Sequence, residues 1–319
     1  MKIVQAPRAS AILYQLLIAQ PNADPWILSA NICPIVPLTF LKARVPFELV
    51  DIDAETLALD LADVQKKITT HHYSGLLYAH PYGNEFTPQT EFAALKALDP
   101  RMLIIDDRCL CIPTTEPEAL SQTSADVTLF STGYAKIVEL NFGGYAFVKD
   151  EVRYEKVYLP FQPQALQELE TAYKHAVSRR ERFVYEDSDW LNTQTSLPIW
   201  ANYCGEIKTQ LDPALAHREA INNIYHTGLP AEMQLSTPYQ TWRFNIRVRN
   251  KAQVLKALFD AGLFASSHYA ALTGILDDGS ARTAETLAAE VINLFNDQHI
   301  DPEQAERIVK VILETAQWS

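Results

Sequence analysis

The sequence is short of basic residues and contains no long apolar run. Its 319 residues include 27 lysines and arginines against 39 aspartates and glutamates, a formal net charge of −12. Nucleic acids and anionic membranes bind clustered lysine and arginine, so this balance argues against both as partners. No stretch reaches membrane-spanning length, and the amino terminus lacks a signal-peptide core. We therefore expect a soluble, cytoplasmic protein.

Cysteine is also scarce, with four residues at positions 33, 109, 111 and 204. Only Cys109 and Cys111 lie close together, and two thiols without a further cysteine or histidine cluster make a poor zinc site. Neither a bound metal nor a disulfide framework is expected. No glycine-rich phosphate loop and no Ser-His-Asp signature is found in any local spacing.

Short apolar segments alternate with helical patterns in the first half of the chain. This alternation predicts an α/β fold whose mainly parallel sheet is sandwiched by helices. A smaller α+β domain is expected to follow, and we place the domains at 1–200 and 201–319. Strands are predicted at 26–29, 46–50, 75–79, 101–105, 127–130, 144–148 and 242–248. Helices are predicted at 11–19 (capped by Ser10), 60–67, 90–97, 164–183, 252–261, 283–294 and 302–315.

Lys136 lies in the segment ADVTLFSTGYAKIVELNFGGYAFV at 125–148. An earlier apolar strand ends at the acidic pair Asp106-Asp107, and Ser131 follows the strand at 127–130, five positions before the lysine. The carboxyl ends of parallel strands converge on one edge, where ligands bind. A lysine there can bond an aldehyde cofactor, while a carboxylate keeps the cofactor's ring nitrogen protonated. This order of residues predicts a pyridoxal 5'-phosphate (PLP) site.

Several segments resemble, in the same order, the DegT family of nucleotide-sugar aminotransferases within the aspartate-aminotransferase-like PLP superfamily. WILSANICPIVPLTFLKARVPFELVDID (26–53) resembles its strand, turn and helix before a "VDID" strand, and LLYAHPYGN (76–84) its H-x-Y-G strand. LIIDDRC (103–109) resembles a strand ending in E-D-A. FSTGYAK (130–136) resembles S-F-x-P-S-K, and SSHYAAL (266–272) resembles H-Y-P-x-L. The resemblance is close in the first half of the chain and loose in the last quarter.

The resemblance implies two catalytic residues. Lys136 corresponds to the lysine that forms the Schiff base with PLP. Asp107 corresponds to the carboxylate that holds the ring nitrogen, and alternation along a strand predicts that Asp106 points to the opposite face. The alternative interpretations are a surface lysine on a loop and a pair of solvated acids at a turn.

The resemblance also implies where the cofactor phosphate binds. Ser131 would donate to the phosphate, and Ser10 with the amide of Ala9 would form a turn at a helix amino terminus, where exposed amides favour anions. Arg8 is a further candidate contact. An ordinary N-cap role for Ser10 is the alternative.

The chain departs from the family pattern at positions around the cofactor ring. Cys33 stands where the family has an aromatic residue that stacks on the ring, which makes Cys33 a candidate cofactor contact. Leu110 stands where the family has a glutamine or histidine, and Arg108 replaces a small residue. These departures indicate weaker cofactor binding or altered chemistry.

Five residues are weaker candidates for substrate contacts. They are two near a strand end, one in a predicted strand and two near the carboxyl terminus: His80, Tyr82, Arg243, His268 and Tyr269. An arginine could form a bidentate pair with the carboxylate of an amino-acid donor. The alternatives are a structural aromatic pair, a solvated strand arginine and a solvated loop.

The leading hypothesis is a PLP-dependent aminotransferase that moves an amine from a donor such as glutamate to a keto-sugar carried on a nucleotide. A dehydrating enzyme is disfavoured, because Lys136 is present where the dehydrating relatives have histidine. A catalytically degenerate member that binds a nucleotide-sugar or a partner protein is the alternative. The resemblance also implies a homodimer, with Arg153, Arg179 and Arg180 as unassigned candidates for the partner's phosphate contact.

Overall fold

The computed structural model describes the chain except residues 21–23, 121–122, 268 and 319. Seven strands in the described chain form the main sheet: β1 (Lys2–Ala6), β2 (Trp26–Ser29), β3 (Phe47–Val50), β4 (Gly75–Ala79), β5 (Leu103–Asp107), β6 (Val127–Ser131) and β7 (Gly144–Val148). Their spatial order is β1-β7-β6-β5-β4-β2-β3. The strands from β3 to β6 are parallel, whereas β7 is antiparallel to both of its neighbours.

Helices flank this sheet and a second, smaller one. The helices are α1 (Ala9–Ala19), α2 (Ile35–Ala43), α3 (Leu61–Ile68), α4 (Gln89–Leu98), α5 (Pro163–Arg179), α6 (Trp200–Gly228), α7 (Lys251–Asp260), α8 (Arg282–Glu290) and α9 (Pro302–Thr315). The second sheet comprises β8 (Phe244–Arg247), β9 (Ala265–Ser267) and β10 (Val291–Leu294), antiparallel in the order β8-β10-β9. The predicted fold class is confirmed.

The two faces of the main sheet are buried under different helices. On β5, Ile105 packs in the core that contains Ile12 of α1 and Phe40 of α2. Its neighbour Ile104 packs in a separate core with Phe92 of α4. Because side chains alternate along a strand, Asp107 follows Ile105 to the α1 face and Asp106 follows Ile104 to the other. The strand pattern therefore sends the two acids to opposite sides.

Strand β1 brings the start of α1 to the edge where β4, β5 and β6 end. β1 is antiparallel to β7, which is antiparallel to β6, so β1 runs parallel to β6. Gly144 is in register with Ala6 on one side and with Ser131 on the other. The chain turns from Ala6 into α1 directly at this edge. A helix amino terminus therefore lies beside the carboxyl ends of the parallel strands.

Several local predictions are wrong. Ser10 is not an N-cap, because α1 already begins at Ala9 and the N-cap residue, in an extended conformation, is Arg8. The strand β1 ends at Ala6, so only two residues separate it from the helix. The predicted helix at 283–294 ends at Glu290, where the β-branched Val291 and Ile292 pair with β8 instead. The helix predicted to reach residue 183 ends at Arg179. Strands β1 and β9 and helix α6 were not predicted.

Helix α6 begins at Trp200, next to the predicted domain boundary. The division at residue 200 remains a prediction. Among the described residues, no helix is long and apolar enough to cross a membrane. The same residues contain no group of three or more histidine, cysteine, aspartate or glutamate side chains placed to hold a metal ion.

Candidate active site

Lys136 and Asp107 line one cavity at the carboxyl edge of the main sheet. This cavity, the lysine cavity, has a volume of about 320 Å³ and is also lined by Ser10, Ser131 and Cys33. Small-molecule sites typically enclose about 300–1,000 Å³. The sheet topology thus brings together residues from β5, β6 and the start of α1, as predicted for a ligand crevice.

Asp107 provides a buried carboxylate in the wall of the lysine cavity. It is 8% exposed, and its Oδ1 accepts a hydrogen bond of 3.0 Å from the Cys109 amide. Burial raises the pKa of Asp107, against smaller opposing effects that include the Cys109 hydrogen bonds and the Lys136 charge. A cation bound next to Asp107 would lower the pKa of this carboxyl group again, because an opposite charge favours the ionised carboxylate. Asp107 therefore suits a protonated ring nitrogen.

The part of the lysine cavity formed by the start of α1 suits a phosphate. The first amides of a helix have no intrahelical acceptor and carry the positive end of the helix dipole. Ala9 and Ser10 stand in that first turn of α1, and Ser131 and Gly133 line the cavity beside them. The Ser131 Oγ accepts a hydrogen bond of 3.3 Å from the Gly133 amide. The buried carboxylate and the amino terminus of α1 thus line one cavity, so the residues fit PLP.

Gly144 allows the helix to approach this closely. A β-carbon on Gly144 would lie 2.6 Å from the Ala9 Cα. We predict that Gly144→Ala destabilises the protein by about 1–3 kcal/mol, the usual cost of overpacking, and also weakens PLP binding by displacing the start of α1. Urea unfolding measures the first effect, and titration of the apoprotein with PLP measures the second.

Gly205 offers a matched control for that experiment. It lies inside α6, and a β-carbon there would meet nothing within 4 Å. Gly205→Ala should stabilise the protein by about 0.5–1 kcal/mol, because alanine is the better helix former. Equal free energies of unfolding for the two variants would contradict the close-packing argument.

An inner cavity of about 50 Å³ adjoins the lysine cavity. Cys33, Cys109, Asp107 and Lys136 line both cavities, while Leu110 and Tyr269 line the inner one. Burial raises the pKa of the Tyr269 hydroxyl, and the neighbouring Cys33 side chain adds to the increase. Two of the three positions that depart from the family pattern, Cys33 and Leu110, therefore line the same space as Lys136 and Asp107, whereas Arg108 is not among the residues lining it.

His80 also lines the inner cavity but is held in a buried ion pair. Its Nε2 lies 2.6 Å from Asp106 Oδ1, and its Nδ1 lies 2.6 Å from the carbonyl oxygen of Asn84. Both acceptors require an N–H, so the imidazole is doubly protonated. Burial alone would lower the pKa of His80, but Cys111 and Asp106 outweigh it and raise the pKa to about 10.

This pair predicts a pH-dependent stability. The pKa of His80 is raised in the folded state, so its contribution is complete below pH 6.5 and is lost as the pH rises towards 10. We expect the free energy of unfolding to fall over this interval in the native protein and to change less in His80→Gln. Urea unfolding at several pH values tests this, with the exposed His175 replaced by glutamine as the control. Parallel pH profiles for the native protein and His80→Gln would refute it.

The remaining substrate candidates lie in different surroundings. Tyr82 is fully buried and packs edge-on against Tyr239 with ring centroids 6.2 Å apart. Arg243 is 1% exposed, and its Nη1 binds Asp297 Oδ2 at 2.6 Å. A substrate carboxylate would have to displace Asp297 to reach that nitrogen. His268 lies outside the described residues.

Three residues that hold the loop of Lys136 were missed by the sequence analysis. Arg218 of α6 donates to the Lys136 carbonyl, Trp242 donates to the Ala135 carbonyl, and Glu139 accepts from the Ala135 amide. Arg218 and Trp242 are distant from the lysine in sequence. No sequence motif near Lys136 includes them, so their contact with its loop could be identified only from an alignment or a structure.

Comparison with known proteins decides the family. The sequence profile of the DegT/DnrJ/EryC1/StrS aminotransferase family matches residues 44–313. The chain belongs to this family. It is accordingly a PLP-dependent sugar aminotransferase, a transferase whose cofactor is pyridoxal 5'-phosphate. No curated protein matches the sequence.

Solved structures of low sequence identity share the fold of this DegT-family protein. Spr1654 of Streptococcus pneumoniae in its PMP form has 17% identity and a TM-score of 0.68, with 98% of this chain and 86% of that chain covered. PseC of Helicobacter pylori, an aminotransferase of pseudoaminic acid biosynthesis, has 13% identity and a TM-score of 0.69, with 98% and 86% covered. The sugar aminotransferase CalS13 of Micromonospora echinospora has 17% identity and a TM-score of 0.64, with 98% and 87% covered.

Proposed function

We propose that this DegT-family protein transfers an amine from glutamate to a keto-sugar carried on a nucleotide. The observation that supports the proposal is the shared cavity: Lys136 and Asp107 line it together with the amino terminus of α1. The family supplies the reaction class, and the cavity supplies a lysine, a buried carboxylate and an anion-binding end. Glutamate and the nucleotide carrier follow from the sequence resemblance and are tested separately below.

Each residue has a distinct role in this proposal. PLP, when bound, supplies an electron-withdrawing ring that stabilises negative charge at the substrate carbon. Asp107 keeps the ring nitrogen protonated. Ser10, Ser131 and the first amides of α1 hold the phosphate and fix the orientation of the ring. The Lys136 Nζ would anchor the cofactor and, once free, would carry the proton from the α-carbon of the donor to the cofactor.

The donor half-reaction can be measured without any sugar. Protein loaded with PLP is mixed with glutamate, aspartate or alanine in turn, and formation of the corresponding keto acid is followed. Glutamate should react with the highest kcat/KM. If another amino acid reacts faster by a wide margin, the glutamate assignment is wrong while the reaction class stands.

The acceptor is tested in the second half-reaction. The aminated protein is offered keto-sugars with and without a nucleoside diphosphate, and amino-sugar formation is measured by mass spectrometry. Transfer to the nucleotide-linked sugars should be faster, because binding energy from a remote part of the substrate lowers the barrier. Equal rates for free and linked sugars would remove the carrier from the proposal. No transfer to any sugar, with PLP bound, would favour the degenerate alternative.

We also propose that the protein works as a homodimer. Of the described residues that line the lysine cavity, Lys136 and Arg8 are the cationic ones, and Arg8 is exposed. Tyr134, which lines the same cavity, is 70% exposed. A dianionic phosphate would be poorly paired there, and a second chain can supply the missing cation. Light scattering of PLP-saturated protein tests this, and a monomer mass at full occupancy would refute it.

A further inference from the structure

The backbone beside the cofactor lysine is held in an uncommon conformation. Ala135 has a φ of 58°, in the left-handed region that non-glycine residues seldom adopt. Its amide donates to Glu139 Oε2 at 2.8 Å, and its carbonyl accepts from Trp242 Nε1 at 2.6 Å. Such a conformation persists only where the surroundings over-determine it. Both polar groups of Ala135 are fixed in this way.

Arg218 fixes the next peptide group. Its Nη2 donates to the Lys136 carbonyl at 2.9 Å, and its Nη1 donates to the Trp242 carbonyl at 2.8 Å and to Asn296 Oδ1 at 2.5 Å. One guanidinium therefore joins the lysine loop, the start of β8 and the end of β10. The planar fork of an arginine can span these three acceptors at once, which a lysine ammonium cannot do in the same geometry.

The environment of Arg218 is energetically unfavourable for a positive charge. The side chain is 4% exposed, and the three acceptors it contacts in the described chain are neutral oxygens. Burial and the nearby charge of Arg243 lower the pKa of Arg218 to about 10, so it remains charged at neutral pH. A buried charge is costly, and an apolar residue of similar size often stabilises a protein more. Fold stability alone is therefore a poor explanation for an arginine here.

We propose that Arg218 is a positioning residue for Lys136. By holding the Lys136 carbonyl, it fixes the base of a long, flexible side chain whose amine must reach both the cofactor and the substrate. This inference rests on the proposed role of Lys136 in the preceding section. A displacement of about 1 Å at a reacting group can lower a rate about 100-fold, so a fixed backbone has a direct effect on this amine.

Two variants and two readouts test the proposal. Arg218→Met removes all three hydrogen bonds, and Trp242→Phe removes the bond to Ala135 while retaining an aromatic ring. The first readout is the rate at which PLP becomes attached to Lys136 in the apoprotein, trapped with borohydride and located by peptide mass spectrometry. We expect a loss of about 10-fold or more for Arg218→Met, and a smaller loss for Trp242→Phe. The second readout, amide hydrogen exchange of residues 133–139, should be faster in both.

Tyr225→Phe is the matched control. Tyr225 lies on the same helix, is buried, and donates from its hydroxyl to the Phe295 carbonyl at 2.9 Å. It should lower stability without changing attachment. Arg218→Lys should recover part of the attachment rate, because its single ammonium nitrogen can still donate to one of the three acceptors. A folded Arg218→Met with native attachment and native exchange would overturn the proposal, as would an equal attachment loss in Tyr225→Phe.

The experiment separates failure of this inference from failure of the proposed function. If the native protein attaches PLP at another residue, the role of Lys136 is wrong. Hydrogen exchange still reports on the loop in that case. Native-like exchange of residues 133–139 in Arg218→Met would then show that Arg218 does not hold the loop.

Discussion

Lys136→Ala is expected to abolish covalent attachment of PLP and to slow the donor half-reaction by at least about 10²- to 10⁴-fold, the usual contribution of a positioned proton-transfer group. The variant loses both the anchoring amine and the amine that moves the proton. Its fold should survive, because Lys136 is half-buried in a loop that other residues hold. Borohydride reduction followed by intact mass measures attachment, and keto-acid formation from glutamate measures the rate.

A lysine elsewhere provides the control for that variant. Lys208 on α6 is exposed and pairs with Glu116 at 3.4 Å. Lys208→Ala should attach PLP and react at the native rate, because exposed pairs contribute little. Stoichiometric attachment of PLP in Lys136→Ala would show that another amine anchors the cofactor. The assignment of the reactive lysine would then be wrong.

Asp107→Asn is expected to lower kcat by about 10²- to 10³-fold, which corresponds to roughly 3–4 kcal/mol, within the range of the cost of removing one partner from a buried charge pair. Asparagine has nearly the same shape and can still accept the hydrogen bond from the Cys109 amide. The change therefore removes the charge that holds the ring nitrogen and little else. PLP affinity, measured by titration of the apoprotein, should fall as well.

Asp106→Asn is the most informative comparison, because it makes the same chemical change one residue away. Asp106 pairs with His80 on the opposite face of β5, so this variant should lose stability while retaining cofactor affinity. The two variants thus separate a structural carboxylate from a cofactor-binding one. A larger loss of PLP affinity in Asp106→Asn than in Asp107→Asn would reverse the assignment.

The parts of this fold that could be predicted are those encoded locally. β2, β4 and β6 are apolar runs bounded by turn residues, and such runs can be recognised as strands from the sequence alone. The opposite directions of Asp106 and Asp107 follow from strand alternation, and the structure places them on different faces, as predicted. The convergence of Asp107, Ser131 and Lys136 likewise follows from parallel topology once the strands are known.

The parts that could not be predicted depend on contacts between distant residues. β1 is a strand because it pairs with β7, and nothing in KIVQA alone decides this. The segment 291–294 continues a helical pattern, but β8 recruits it as a strand. Arg243 lies in the predicted strand segment, but its guanidinium is hydrogen-bonded to Asp297, which is distant in sequence. In each case a tertiary partner overrides a local pattern.

The pairing of Gly144 with both Ala6 and Ser131 also bears on how the active site assembles in time. A ribosome releases β1 and α1 first, yet β1 has no neighbour in the sheet until β7 has been made. Bringing β1 to β7 closes a long loop and costs chain entropy, which is offset only when the pairing is complete. Contacts between residues so distant in sequence therefore form slowly. The strands that carry Asp107 and Ser131 can pair earlier, from segments close together in sequence. We therefore expect the edge that carries the proposed site to form in two stages, with the part at the start of α1, although encoded first, completed last.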